Sequence, residues 1–329
     1  MRIGIDARSL LEPHPSGVSF YTQQLIRALL ALPDRTDTLV LFTSGWSKPK
    51  LEFPSEVEWH HLPWPNKLFH GLSLFGLAPK IDRILGGVDV LFLPNWNFFP
   101  HSRKIPYVLT VHDCALYLYP HLLSRKQRLW HRLIQPTRLM KQAKHIITVS
   151  QSTQQDVKTN HVTTILSGPP QRVASALVPN LPDNYVVMFG GRDARKNIPV
   201  LPNINVVIIG DGSPLGYLTE AQKWYVLEHA QALVYPSLYE GFGFPPLEAW
   251  QAGVPVIASF AGAIPEICGQ AALYVNPYSN HDIQLAVTTV LQDERLRTRL
   301  IEAGKEQLKK FSWEQTARDT LRVLRQAVY

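Results

Sequence analysis

Along the chain, short apolar runs rich in Val, Ile and Leu alternate with longer stretches whose apolar residues return every three or four positions. The short runs fall at 2–7, 38–43, 57–62, 88–93, 107–112 and 145–150, then at 185–191, 205–210, 232–236, 254–259 and 272–275. Helical spacing occupies 18–32, 68–85, 122–144, 152–159, 219–229, 247–252, 282–292, 294–310 and 313–328. Strands that are apolar throughout are buried on both faces, and the intervening helices supply the two covers. The pattern therefore predicts parallel sheets of the doubly wound α/β class. One stretch interrupts it. Ser167–Asn184, SGPPQRVASALVPNLPDN, is rich in proline and lies between complete alternating units, as an interdomain linker does. The expected organisation is one domain at 1–166, a linker at 167–184, a second domain at 185–311 and a closing helix at 312–329. The second domain is short of material: only the 13 residues Arg192–Ile204 separate two of its strands, about the minimum for a parallel crossover.

Composition narrows the class without naming the chemistry. With 329 residues, 45% of them hydrophobic and 18% charged, the chain has enough apolar material for sizeable cores. Its two cysteines, Cys114 and Cys268, are too few for a disulfide scaffold and fit reduced thiols. No apolar run approaches the roughly 18 residues of a membrane span. Asp6 falls where a signal peptide would carry its apolar stretch, so a cytoplasmic location is the expectation.

Charge is unevenly placed. The net charge is +7; residues 1–155 hold 18 Lys/Arg against 10 Asp/Glu, and residues 156–329 hold 15 against 16. Between Cys114 and Gln155 there is no acidic residue, but Arg125, Lys126, Arg128, Arg132, Arg138, Lys141 and Lys144 are present. Such a segment is either a solvated helix face or a surface for anionic lipid or a phosphorylated acceptor. Nucleic acid is disfavoured, because neither a recognition motif nor interleaved aromatic residues accompany the charge.

The most specific string is Tyr235–Pro255, YPSLYEGFGFPPLEAWQAGVP. Gly241 and Gly243 loosen the backbone, and Pro245 and Pro246 suit the first turn of a helix. Glu240 precedes that helix and Glu248 lies near its start, so carboxylates and free N–H groups gather at one positive helix end. Upstream, Arg192, Arg195 and Lys196 follow a strand directly, where cations can grip phosphate oxygens or simply form a solvated loop. His112 ends the run 107–112, and Gly17 opens the first helix. GDGSPLG, from Gly210, imitates a dinucleotide fingerprint, but its third glycine comes one place late and it reads as a turn. No Asp-x-Asp pair and no His/Cys cluster with metal-ligand spacing occurs, so no metal and no cofactor are expected.

These segments together resemble the group 1, retaining glycosyltransferases of the GT-B fold. The two glutamates eight positions apart around a GFG-proline core carry the likeness, and VPVIASFAGAIPEICGQAALYVNP continues it. SGVSFYTQQLIRALL, VHD at 111–113, ITVSQST, GGRDARKN and FSWEQTA extend it in family order. The resemblance implies two Rossmann-like domains facing across a cleft, the second shortened and the last helix returning to the first domain. It implies Glu240 and His112 as catalytic residues. Gly17, Arg192, Lys196, Gly241, Phe242, Gly243, Phe244 and Glu248 would hold the donor, with Arg195 as the substitute for Arg192 because the basic loop is short. Asp113 is expected to support its turn. The reaction implied is metal-independent transfer of a hexose, such as mannose or glucose, from a nucleotide-diphosphate sugar to a saccharide or lipid-linked acceptor, with retention. A peripheral position at the inner face of the membrane, through 114–155, goes with a lipid-linked acceptor. The alternatives are a non-catalytic or partner-activated nucleotide-sugar-binding subunit and, more remotely, a nicotinamide-dependent oxidoreductase built on GDGSPLG.

Overall fold

A computed structural model describes residues 1–12, 16–46, 53 and 57–329. Seven parallel strands form the first sheet: β1 (Arg2–Asp6), β2 (Thr38–Ser44), β3 (Glu58–Leu62), β4 (Val90–Leu93), β5 (Tyr107–Val111), β6 (His145–Thr148) and β7 (Val162–Thr164). Their order is β3-β2-β1-β4-β5-β6-β7. The second sheet, also parallel, takes β8 (Tyr185–Phe189), β9 (Asn205–Ile209), β10 (Leu233–Tyr235), β11 (Val256–Ser259) and β12 (Ala272–Val275) in the order β12-β11-β10-β8-β9. Central strands are buried end to end, β4 and β5 among them, which is why their sequences lack polar alternation.

The covering helices of the first sheet are α1 (Gly17–Ala31), α2 (Asn66–Leu74), α3 (Ile81–Ile84), α4 (Ala115–Leu118), α5 (Arg125–Ile134), α6 (Pro136–Gln142) and α7 (Gln151–Asp156). Around the second lie α8 (Glu220–Glu228), α9 (Phe244–Gln251), α10 (Ile264–Cys268), α11 (Asn280–Gln292) and α12 (Glu294–Leu308). The last helix, α13 (Trp313–Val328), returns to the first domain and packs on α1 and on β4, β5 and β6. It is tied there by Arg325 to Asp37 at 2.6 Å and by Trp313 Nε1–H donating to the Pro169 carbonyl at 2.8 Å. Residues 167–184 carry neither helix nor strand. No helix among the described residues is long and apolar enough to cross a membrane.

Four local expectations are corrected. The single helix expected at 68–85 is two, α2 and α3, parted by Gly76 at φ 70° and by Pro79. The one expected at 122–144 breaks at Gln135, which adopts a left-handed φ of 56° because Pro136 excludes the helical conformation from the residue before it. The edge strand β7 and the short α10 were not anticipated, being three and five residues long with no periodicity to read. Helix α9 opens at Phe244 rather than 247, taking both prolines into its first turn.

The shortened crossover has a physical solution. Between β8 and β9 the chain makes only a 3₁₀ turn, Ala194–Lys196, and no α-helix. Ile198, Leu201 and Ile204 instead lie against Val186, Met188 and Val234, so loop side chains cover the face that a helix would cover. The two loops beyond β8 and β9 are pressed together. A Cβ on Gly191 would collide with the Asp211 carbonyl, and one on Gly210 with that of Gly190. Both residues also hold positive φ, so only glycine fits.

Two outcomes follow from this packing. The Trp250 indole of α9 fills the space where a Cβ on Gly304 of α12 would stand. Gly304→Ala is expected to cost about 1–3 kcal/mol by overpacking, seen as a lowered Tm. His70, beside Phe98 in the first domain, is pushed down to about 4 by burial and then by Arg8. The unfolded chain takes up this proton near pH 6.5 while the folded site refuses it until about 4, so stability falls on acidification across that window. His70→Gln should flatten that fall, as thermal unfolding at pH 7 and pH 5 will show.

Candidate functional site

The site is built where β10 runs into α9. Tyr235 ends the strand, and residues 236–243 loop over the carboxyl edge of the sheet before the helix starts. This loop is held from three sides. Ser259 Oγ donates to the Ser237 carbonyl at 2.6 Å, Ala263 N–H to the Glu240 carbonyl at 2.9 Å, and Leu238 N–H to the Arg195 carbonyl at 2.8 Å. Asn197 Nδ2 reaches both the Pro236 and Pro277 carbonyls, at 3.1 and 2.6 Å. The basic loop after β8 is thereby fastened to the loop carrying Glu240.

Within that frame Lys196 Nζ lies 2.7 Å from Glu240 Oε1 and 3.4 Å from the Tyr235 hydroxyl. Burial, followed by the Glu240 charge, holds the Tyr235 phenol well above its ordinary value, so it stays protonated. The Tyr235 ring also lies beneath Gly243, the left-handed N-cap of α9 at φ 104°. That cap supplies no side chain, and Pro245 and Pro246 carry no N–H. The open donors of this helix end are therefore concentrated on Gly243 and Phe244, with the positive dipole behind them. A primary ammonium, an uncapped helix end and a carboxylate thus share one corner.

The first domain meets this corner through His112, which follows β5. Its Nε2 is 2.7 Å from the Pro94 carbonyl, and its ring stands edge-on to Tyr21 at 4.7 Å. A carbonyl only accepts, so the proton sits on Nε2. Burial lowers the pKa and keeps the ring neutral, which leaves Nδ1 as an acceptor. A Cβ on Gly241 would collide with the His112 carbonyl oxygen, so the two domains touch backbone to backbone here. Ser150 Oγ donates to the Gly241 carbonyl at 2.6 Å and Thr153 Oγ1 bridges the Gly241 and His112 carbonyls at 3.2 and 3.4 Å. Near Gly17, at the start of α1, a Cβ would meet open space. One turn on, the Phe20 ring packs edge-on against Phe244 at 5.2 Å.

Not every expected residue joins the cluster. The Arg192 side chain is 81% exposed, has Asp211 at 3.9 Å, and faces an opening of about 990 Å³ shared with Lys126 and Trp130 of α5. Of the loop's two arginines the one at the cleft is Arg195, which pairs with Asp193 at 2.8 Å and, across the domains, with Asp113 at 3.3 Å. Asp113 does support its turn, accepting from Ala115 N–H at 2.9 Å, and in addition binds the other domain. The Phe242 side chain is buried between Phe244 and Phe311, so only its backbone faces the loop. Glu248 is 4% exposed and is held at 2.7 Å by Lys223 of α8, whose pKa the two neighbouring glutamates raise against the effect of burial. Lys223, Tyr235, Ser150 and Thr153 escaped the sequence reading. Tyr235 heads the most specific string in the chain, Ser150 and Thr153 lie in ITVSQST, and Lys223 carries no local signal.

Residues 15–165 match the model described as Glycosyltransferase Family 4, and residues 213–307 the model for Glycosyl transferases group 1. Over 107 residues the chain is 39% identical to the O-antigen chain mannosyltransferase B of Escherichia coli, a stretch covering 32% of this chain but only 28% of that protein. An uncharacterized glycosyltransferase of Methanocaldococcus jannaschii is 24% identical over 95% of both chains. The fold is shared with a sucrose-phosphate synthase of Thermosynechococcus elongatus, at TM-score 0.76, 19% identity and coverage of 99% and 98%. It is shared too with HepE of Anabaena, solved with UDP and glucose, at TM-score 0.66, 17% identity and coverage of 99% and 100%. Matched in both domains, the chain belongs to the group 1, family 4 glycosyltransferases of the GT-B fold.

Proposed function

We propose that this protein transfers a hexose from a nucleotide-diphosphate sugar to an acceptor hydroxyl, with retention and without a metal. The observation that carries the reading is the meeting of Lys196, Glu240 and the uncapped start of α9 against the His112 backbone of the opposite domain. Cleavage of the sugar–phosphate bond puts positive character on the sugar and negative charge on the departing diphosphate. Lys196 and the N–H groups of Gly243 and Phe244 stabilise the second, and such fixed donors contribute roughly 3–4 kcal/mol each in water-excluded sites. Glu240 accepts hydrogen bonds from the sugar hydroxyls, and His112 Nδ1 accepts another from the first-domain side. Retention follows from a same-face displacement in which the leaving phosphate takes the acceptor's proton. Two features favour a hexose donor: the mannosyltransferase relatives, and the structural neighbour solved with UDP and glucose.

A second reading, a nucleotide-sugar-binding subunit without turnover, draws on the helix-free crossover between β8 and β9. Donor turnover by the wild-type protein separates the two, and one variant tests the site. Glu240→Gln releases Lys196 from its ion pair while removing the sugar-side carboxylate. We expect nucleoside diphosphate affinity to be retained or increased and transfer to fall about 100-fold, measured by calorimetry and by donor turnover. Wild-type turnover in this variant would sink the role given to Glu240, and absence of turnover in the wild-type protein would sink the transferase assignment. Lys196→Ala should weaken nucleoside diphosphate binding by about 10- to 100-fold, as loss of a charge-assisted contact does.

Glu248 reaches the nucleotide's ribose only if Lys223 keeps it fixed. Lys223→Met leaves that buried carboxylate alone, at an expected cost of about 3–5 kcal/mol. The double variant with Glu248→Gln should regain most of the melting temperature.

A further inference from the structure

Outside the interdomain corner, the first domain holds a groove of about 800 Å³ between the α4 region and the α5–α6 hairpin. Its floor is apolar, with Leu116, Tyr117, Pro120 and Leu123, and its walls carry Arg128, Arg132, Arg138 and Lys141. Helix α5 is shared between two openings. Arg128, His131 and Arg132 face the groove, whereas Lys126, Gln127 and Trp130 face the second domain beside Arg192. Among the described residues, none of the seven Lys and Arg side chains of 114–155 forms an ion pair or side-chain hydrogen bond. Elsewhere the protein neutralises its cleft cations, as at Arg195 and Lys196. Unpaired arginines around an apolar floor suit a ligand that is anionic at one end and greasy at the other. The volume lies in the range of small-molecule sites, about 300–1,000 Å³. The inner wall also leads to the transfer site. His131 stands close enough to Asp113 and Arg195 for both charges to bias its titration, and Asp113 follows His112.

We propose that this groove binds an amphiphile carrying a phosphate or diphosphate on a long apolar chain. Arg128, Arg132 and Arg138 clasp the phosphate, and the chain lies over Leu116, Tyr117 and Leu123. Resting on the glycosyl-transfer reading, its role is that of the lipid-linked acceptor, presented past His131 towards His112 and Glu240.

The test uses the full chain and three probes in calorimetry: farnesyl diphosphate, farnesol and inorganic pyrophosphate. Farnesyl diphosphate should bind, and each half-probe at least tenfold more weakly. The double variant Arg132→Ser/Arg138→Ser should lose at least tenfold in affinity, while Lys126→Ser, on the other face of α5, should lose none. All three positions are solvent-exposed, and an unchanged melting temperature certifies the fold. Equal binding by wild type and double variant overturns the proposal, as does pyrophosphate matching the amphiphile. Binding to phosphatidylglycerol vesicles with none to monomeric farnesyl diphosphate also overturns it, because the surface is then a membrane face. Nucleoside diphosphate titrations on the same samples keep the two readings apart. Nucleotide binding without amphiphile binding removes the groove alone, whereas amphiphile binding without nucleotide binding upholds the groove and removes the transferase assignment.

Discussion

The Lys196–Glu240 ion pair is the interaction on which the rest of the site depends. Both side chains are mostly shielded from water, where an isolated charge is costly and a paired one is held in a fixed place. The pair is also in tension with the proposed reaction. An incoming diphosphate competes with Glu240 for Lys196, and the sugar hydroxyls offer Glu240 replacement donors. Exchange of partners, rather than creation of new charge, is then what donor binding amounts to. The uncapped start of α9 is what tips the exchange, since it supplies donors to phosphate and nothing to Glu240.

The same economy extends across the domain boundary. Arg195 is shared by Asp193 of its own loop and Asp113 of the first domain. Tyr239 donates to Asp156 at 2.6 Å and accepts from Cys114 N–H at 3.2 Å. Glu266 of α10 receives the N–H groups of Gln151 and Ser152 at 2.9 and 3.1 Å. Each contact joins loops or short helices that follow strands of the two sheets. The domains therefore meet through the very segments that carry His112 and Glu240, and any hinge motion is coupled to the site by construction.

Much of the fold was legible because parallel strands buried on both faces leave an unmistakable apolar signature. What was not legible lies where one residue redirects the chain. Gln135 carries no mark of its left-handed turn except the proline after it, and β7 is too short for a period. In the site, Glu240, Lys196, Gly243 and His112 were found by their motifs, and the structure gathers them. Arg192 was misplaced for a specific reason. Three cations in five residues look alike in sequence, and only the bend imposed at Gly191, pressed against Asp211, sends Arg192 outward and leaves Arg195 inside. Lys223 was invisible because a lysine on an amphipathic helix is ordinarily solvated; its burial against Glu248 is a purely tertiary fact.

The short crossover connects these points. With Ile198, Leu201 and Ile204 covering the sheet, the segment that follows β8 has no helix to anchor its basic residues. Its geometry is instead set by Asn197 bonding to the Pro236 and Pro277 carbonyls and by the Arg195 carbonyl bonding to Leu238. The absence of a helix therefore does not loosen the basic loop, because the loop is fastened directly to the segment that bears Glu240. Lys196 and Glu240 consequently move as one body, and the distance between the proposed diphosphate and sugar contacts is fixed within the second domain alone. In the proposed reaction the first domain is left to contribute His112 and the acceptor.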